Sequence, residues 1–115
     1  FMKIQSFVQV PEEKILIEGA KDTTIKVLVG QNDGSEKITM RYFSIKPGGH
    51  TPYHQHPYCH VVRIEQGQGL LVDKSKKEHV VKKGDSFYVA PNDFHQFKNP
   101  NKEDFEFLCV IPNET

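Results

Sequence analysis

Short apolar runs separated by polar turns dominate the chain, and several of them alternate apolar with polar residues. In 105–111 the side chains of Phe105, Phe107, Cys109 and Ile111 stand two residues apart, which is the spacing of one face of a β-strand. Runs of this kind predict strands at 23–29, 37–45, 60–65, 69–73, 79–82, 86–90 and 105–111. No long segment repeats its apolar residues every 3.6 positions, so no helix is predicted.

Turn-forming residues separate these predicted strands. The turns are Asn32-Asp33-Gly34, Pro47-Gly48-Gly49, Gln66-Gly67, Lys83-Gly84-Asp85 and Pro91-Asn92-Asp93. Many short strands at this spacing indicate an all-β sandwich or barrel. The chain has 115 residues, the length of one domain, so we expect a single domain over 1–115.

Charge and composition narrow the class of protein. The 15 Lys and Arg residues balance 15 Asp and Glu residues, and no basic stripe indicates nucleic-acid binding. No apolar stretch approaches the roughly 20 residues of a membrane helix. Two cysteines are too few for a disulfide framework, and they favour a cytoplasmic location with both thiols reduced. We therefore expect a cytoplasmic domain whose partners include neither nucleic acid nor membrane.

The histidines are concentrated in one segment. Of six in the chain, four fall within eleven residues: His50, His54, His56 and His60. On a strand, His54 and His56 would face the same way, close enough to share one ion. Pro57 disfavours continued ladder pairing, so the chain can bend there and bring His60 back to the same space. Ligands from this one segment would occupy only part of the coordination shell of an ion. His95, in another part of the chain, is the candidate for the remaining ligand.

An all-imidazole shell has consequences for the chemistry of a bound ion. Imidazole suits Zn, Cu, Fe and Ni. Four neutral ligands leave a divalent ion with its full +2 charge, so the site should attract anions and act as a strong Lewis acid. Since imidazole must be neutral to bind, metal affinity should fall below pH of about 6.5.

These residues also carry a resemblance to a known family. The spacing of Gly48, His54, His56, His60 and Gly67 resembles the first cupin motif, in which a glutamate usually stands where this chain has His60. The segment 84–99 resembles the second motif, with His95 at its histidine position and Asn99 at its asparagine position. The two motifs, at about 48–67 and 84–99, imply a single-domain cupin jelly-roll β-barrel, also called a double-stranded β-helix.

The histidine at position 60 makes the chain similar to the small four-histidine cupins, some of which carry manganese. That resemblance implies one divalent ion per chain, with His54, His56, His60 and His95 as its ligands. Mn or Fe is expected first, with Zn, Ni or Cu as alternatives, and a homodimer is expected. The reaction stays open, because cupins of this size include dioxygenases, lyases, isomerases, polyketide cyclases and proteins of no known activity.

Four further residues are candidates for the wall of a substrate pocket: Arg41, Phe97, Phe107 and Cys109. Arg41 either holds a substrate carboxylate through its fork of donors or lies exposed and pairs with an acid. Cys109 is either a small buried apolar residue or a redox-active or ligating thiol. No catalytic residue is assigned.

Three hypotheses for function follow. The first is a metal-dependent oxidoreductase of the dioxygenase type, acting on a small anionic or enolisable organic substrate. The second is a non-redox lyase, isomerase or cyclase that uses the metal as a Lewis acid. The third is a non-enzymatic cupin that binds a small ligand.

Overall fold

The computed structural model describes residues 1–113, which form β-strands joined by loops and two short 3-10 helices. The 3-10 helices span Phe7–Gln9 and Gln31–Asp33. The strands are β1 (Glu13–Lys14), β2 (Lys21–Val29), β3 (Ile38–His50), β4 (His60–Gln66), β5 (Gln68–Val72), β6 (Glu78–Lys82), β7 (Ser86–Val89), β8 (Gln96–Lys98) and β9 (Phe105–Pro112). The prediction of an all-β fold is confirmed. Within this part of the chain no helix is long and apolar enough to cross a membrane.

All strand pairs are antiparallel, and the sheet runs in the order β6-β5-β8-β3-β9-β4-β7. Strand β2 pairs with β3 and with β1. The last strand in the sequence, β9, lies between β3 and β4, where Cys109 pairs with Arg41 on one side and with Val62 on the other. Residues far apart in sequence are thereby brought side by side.

The core follows the alternation seen in the sequence. Phe105, Phe107 and Cys109 of β9 are at most 1% exposed. The ring of Phe107 stacks on Phe97 and on Phe43, with centroids 4.4 and 5.2 Å apart. These three rings also line the cavity that contains the candidate site.

The predicted turn at Pro47-Gly48-Gly49 is wrong, because β3 runs through it to His50. The strand pairs with β9 as far as Ile45, and at His50 it pairs with β8. Gly48 has a φ of +83°, a conformation that glycine adopts without strain. At Gly49 a Cβ atom would lie 2.7 Å from the carbonyl oxygen of Lys21, so there is no room for a side chain. The glycines thus let a continuous strand change its partners.

Asn99 secures the connection between β8 and β9. The residue is completely buried. Its Nδ2 donates to the carbonyl oxygens of Ile45 and Glu103, at 2.8 and 2.7 Å, and its Oδ1 accepts from the backbone N–H of Asn101 at 3.0 Å. All three bonds are to backbone groups, so this side chain sets the path of the loop.

Candidate metal centre

A cavity of about 260 Å³ contains every site residue that the sequence singled out. Its wall includes His54, His56, His60 and His95, together with Arg41, Phe97, Phe107 and Cys109. The remaining lining residues are Ile15, Ile17, Ile25, Phe43, Thr51, Pro52 and Tyr58. The cavity is therefore mostly apolar, with the histidines as its main polar groups.

Three separate segments bring the histidines together. His54 and His95 form an isolated antiparallel bridge, in which each backbone N–H donates to the other's carbonyl oxygen at 3.1 and 2.9 Å. His60 is the first residue of β4. His56 lies in the loop before it, where its carbonyl oxygen accepts from Asn92 at 2.8 Å. The pair His54 and His56 was predicted to lie on a strand, but only His54 has a strand-like partner.

The imidazoles converge closely enough to hold one ion. Ligand nitrogens of His54, His56 and His95 all lie within 4.8 Å of one another. His60 stands beside this set: its Nε2 contacts Nε2 of His56, and its ring centroid is 5.0 Å from that of His95. Among residues 1–113, the compact set therefore has three members, with the fourth histidine against its edge.

Hydrogen bonds at the outer ring nitrogens orient two of these imidazoles. Nδ1 of His95 is 2.8 Å from the carbonyl oxygen of Asp93, and Nδ1 of His56 is 3.1 Å from that of Tyr58. A carbonyl oxygen only accepts, so each Nδ1 carries the proton and each Nε2 keeps its lone pair. This arrangement is usual for metal-ligating histidines. Nε2 of His95 is moreover buried, with no hydrogen-bond partner in the described residues. A divalent ion fits that orphaned lone pair.

His60 is oriented by a thiol instead of a carbonyl. Its Nδ1 is 2.9 Å from Sγ of Cys109, which also lies 3.2 Å from Nη2 of Arg41. A thiol can donate or accept, so it can support either tautomer of His60. With Nδ1–H donating to the sulfur, the lone pair of His60 Nε2 is left for an ion. Burial raises the pKa of the Cys109 thiol, which keeps it protonated at neutral pH.

Burial lowers the pKa of three of these histidines, which keeps them neutral near pH 7. Desolvation lowers the pKa of His60 to about 2, with smaller contributions from the neighbouring histidines and Arg41. Desolvation likewise lowers the pKa of His95 to about 4, against an opposing hydrogen bond to Asp93. The pKa of His54 is lowered too, first by desolvation and then by the charge of His56. For these three residues proton competition with a metal begins below the ordinary histidine range.

Other residues fall outside the cavity or were missed by sequence reasoning. His50 and Cys59 do not line the cavity, and His79 is exposed and pairs with Asp73 at 2.8 Å. Ile15 and Ile17 line it, although they lie before the first predicted strand, in a segment without strand periodicity. Nothing in their local sequence could have identified them, since only the folded path of the N-terminal segment brings them there.

Both the sequence and the fold of this chain are similar to those of known proteins. A family model described as the cupin domain matches residues 41–111. The polyketide cyclase RemF from Streptomyces resistomycificus superposes with a TM-score of 0.94, at 28% identity, over 99% of this chain and 81% of that one. A cupin-2 domain protein from Rhodospirillum rubrum superposes with a TM-score of 0.84, at 28% identity, over 99% of this chain and 76% of that one.

A curated relative was also found by sequence. It is the 1-methylthio-D-xylulose 5-phosphate methylsulfurylase of Rhodospirillum rubrum, 32% identical over 75 residues, or 65% of this chain. The match spans only 47% of that relative, so this chain corresponds to about half of it. Together with the strand order, the superpositions confirm the predicted jelly-roll barrel.

Proposed function

Because the chain belongs to the cupin family, whose domain match covers more than half of its length, we propose that it is a metal-dependent enzyme acting on a small organic substrate. In this proposal His54, His56, His60 and His95 hold one divalent ion, Mn or Fe in the first place, as in the four-histidine cupins. A bound ion there would supply Lewis acidity and, for Mn or Fe, one-electron redox chemistry.

One observation carries the proposal. Nε2 of His95 is buried without a hydrogen-bond partner in the described part of the chain, and it belongs to a set of three converging imidazoles. A buried nitrogen that has lost its hydrogen bond to water is destabilising unless another partner replaces it. A metal ion is the partner that suits several imidazole lone pairs at once.

The first candidate reaction is oxidation of the dioxygenase type. Its support is that no described residue brings a carboxylate to the cavity wall, together with the apolar stack of Phe43, Phe97 and Phe107. Neutral ligands leave a bound ion its full charge, and the apolar wall excludes water from the substrate. The Arg41 guanidinium would bind and orient an anionic substrate beside the histidines.

The second candidate is a non-redox lyase, isomerase or cyclase reaction. Its support is the likeness to the polyketide cyclase RemF, which extends over nearly the whole of this chain. In such a reaction the phenol of Tyr58, at the cavity wall beside His56, would exchange a proton with the substrate.

Metal content is the first test. Inductively coupled plasma mass spectrometry on untagged protein should find about one equivalent of Mn or Fe, and the His54→Ala, His56→Ala variant should lose it. The double variant His50→Ala, His79→Ala is the matched control, because both histidines lie outside the cavity. No metal after reconstitution would remove the enzyme mechanism and favour the non-enzymatic ligand-binding cupin.

Reaction class is tested by exchanging the metal. Iron-, manganese- and zinc-loaded proteins are each given a panel of small 2-oxo acids, while an oxygen electrode and product chromatography follow the mixture. Oxygen consumption by the iron or manganese form, absent from the zinc form, supports the oxidoreductase. Turnover without oxygen by all three forms supports the second candidate.

Assembly and location are further parts of the proposal. A homodimer is favoured by exposed apolar side chains in the N-terminal segment, among them Ile4, Val8 and Leu16 at 85, 82 and 86% exposure. Light scattering after size exclusion should give twice the mass of one chain, and Leu16→Lys should lower it. Two free cysteines accord with the proposed cytoplasmic location.

A further inference from the structure

The charge inside the cavity is unbalanced. Among the described residues, its wall contains one side chain with a permanent charge, Arg41, and no aspartate or glutamate. The histidines beside it bring no negative charge, so any divalent ion they bind adds two further positive charges. Charges removed from water are normally paired, and the described residues of this wall supply no negative partner.

The contacts of Arg41 leave its guanidinium without an acid. Nη2 donates to Sγ of Cys109 at 3.2 Å, which is a weak acceptor, and Cζ lies 4.9 Å from the ring centroid of Phe43. Of the described residues no carboxylate forms an ion pair with it, and its buried Nε has no hydrogen-bond partner. An unused donor on a desolvated cation is uncommon in a native protein and indicates a ligand.

The strand register holds Arg41 in this position. It pairs with Cys109 of β9 and with Val27 of β2, so its backbone is fixed on both sides. The other arginine of the chain shows the ordinary alternative: the Arg63 side chain is 64% exposed and its Nε pairs with Glu65 at 3.3 Å. Arg41 is thus positioned by the fold and has no acidic partner among residues 1–113.

We propose that the cavity binds a small organic carboxylate, gripped by the Arg41 guanidinium and facing the histidine cluster with its remaining atoms. That such a carboxylate is the substrate rests on the proposed function. Its binding by Arg41 does not depend on a metal. The planar fork of an arginine matches a carboxylate with two parallel hydrogen bonds. At about 30 Å³ for each water-sized group, a cavity of about 260 Å³ holds on the order of nine non-hydrogen atoms.

A carboxylate fits better than a phosphate ester. A phosphate dianion is normally surrounded by several N–H donors from a helix N-terminus, a glycine-rich loop or a cluster of cations. Apart from the histidines, Thr51, Tyr58 and Cys109, this wall offers one guanidinium among apolar side chains such as Ile25 and Phe43. The methylsulfurylase relative is named for a sugar phosphate, so a phosphate ester is the alternative that the experiment must include.

The experiment uses the two arginines as internal reporters. Because the chain has only Arg41 and Arg63, a ¹⁵N-labelled sample shows two arginine Nε–H signals, which Arg63→Lys assigns. Metal-free and zinc-loaded proteins are titrated with benzoate, 2-oxobutanoate, neutral benzamide and glycerol 3-phosphate, and calorimetry measures each Kd. We expect the carboxylates to shift the Arg41 signal, with no shift at Arg63 and no binding of benzamide.

Substitutions at the two arginines distinguish a loss of carboxylate binding from a loss of folding. Arg41→Met should weaken carboxylate binding about 10- to 100-fold, and Arg41→Lys, which keeps the charge but loses the fork, should weaken it less. Arg63→Met is the matched control and should bind as the wild type does. If Arg41→Met does not fold, the signal shifts in the wild type and the Arg41→Lys titration decide the question.

Each outcome bears on the proposal. Carboxylate binding that leaves the Arg41 signal unmoved overturns it, as does equal affinity in Arg41→Met, or no binding by either carboxylate. If glycerol 3-phosphate binds more tightly than both carboxylates, the ligand class is a phosphate ester and the proposal of a carboxylate is overturned. Carboxylate binding at Arg41 in a protein that takes up no metal would keep this inference while the proposed metal enzyme fails.

Discussion

Replacing His95 by glutamine tests whether the folded chain holds its imidazoles neutral before any metal binds. In the metal-free protein, burial keeps the pKa of His95 at about 4, against about 6.5 for an unfolded histidine. His95 is only 3% exposed, so solvent screens little of this effect. The difference makes the free energy of unfolding depend on pH.

The sign follows from which state binds the proton first. Because the folded pKa lies below the unfolded value, the unfolded chain is protonated first as pH falls. Stability is complete above pH of about 6.5 and is lost progressively between about 6.5 and 4. At pH 5, about 1.5 pH units below the unfolded pKa, the loss from His95 is about 2 kcal/mol at about 1.36 kcal/mol per unit. Glutamine takes up no proton, so His95→Gln should lose about 2 kcal/mol less than the wild type between pH 7 and pH 5.

Urea unfolding of both chelator-treated proteins, followed by circular dichroism at pH 7 and pH 5, measures the two losses. Only the change between the two pH values is compared, so any difference in stability at pH 7 cancels. His79→Gln is the control, since His79 is exposed and pairs with Asp73, and its removal should not reduce the loss. Equal losses in the wild type and His95→Gln would refute the reasoning.

Three other substitutions test the supports of the site. Cys109→Val leaves the neighbouring imidazole Nδ1 without its partner and should weaken metal binding by about 10-fold in competition with a chromophoric chelator, whereas Cys59→Val should change nothing. Asn99→Ala removes three hydrogen bonds and should lower the free energy of unfolding by roughly 3 kcal/mol, or about 1 for each; a loss below 1 kcal/mol in urea would contradict that role. Gly69→Ala would overlap the buried ring of Phe105 and should lower the free energy of unfolding by about 1–3 kcal/mol in the same assay; an unchanged free energy would contradict this.

The alternation of apolar residues was sufficient to predict most of the strands. It succeeded for β9 because Phe105, Phe107 and Cys109 all face one core. It failed at Pro47-Gly48-Gly49, since local turn chemistry cannot reveal that a strand bends there to take up new partners. It also missed β1, whose two exposed residues carry no pattern.

The sequence was sufficient to predict which residues form the candidate site, but much less so how they are arranged in space. The spacing of the histidines and the resemblance to the cupin motifs identified the cluster, although His56 lies in a loop and the compact set contains three ligand atoms. Whether Arg41 faced solvent or the cavity could not be decided from sequence. That depends on its pairing with Cys109, a residue 68 positions away.

The position of β9 has a consequence for the order in which the protein matures. All four histidines have been synthesised by residue 95, but β3 and β4 are joined only through β9, at residues Phe105–Pro112. Pairings such as Ile38 with Pro112 join residues 74 positions apart, and contacts of such separation form late in folding. The nascent chain therefore carries its ligands without the cavity that would hold them. An ion can be held at this site only after β9 has been made and has paired, so it would come from the metal pool that surrounds the chain at that later stage.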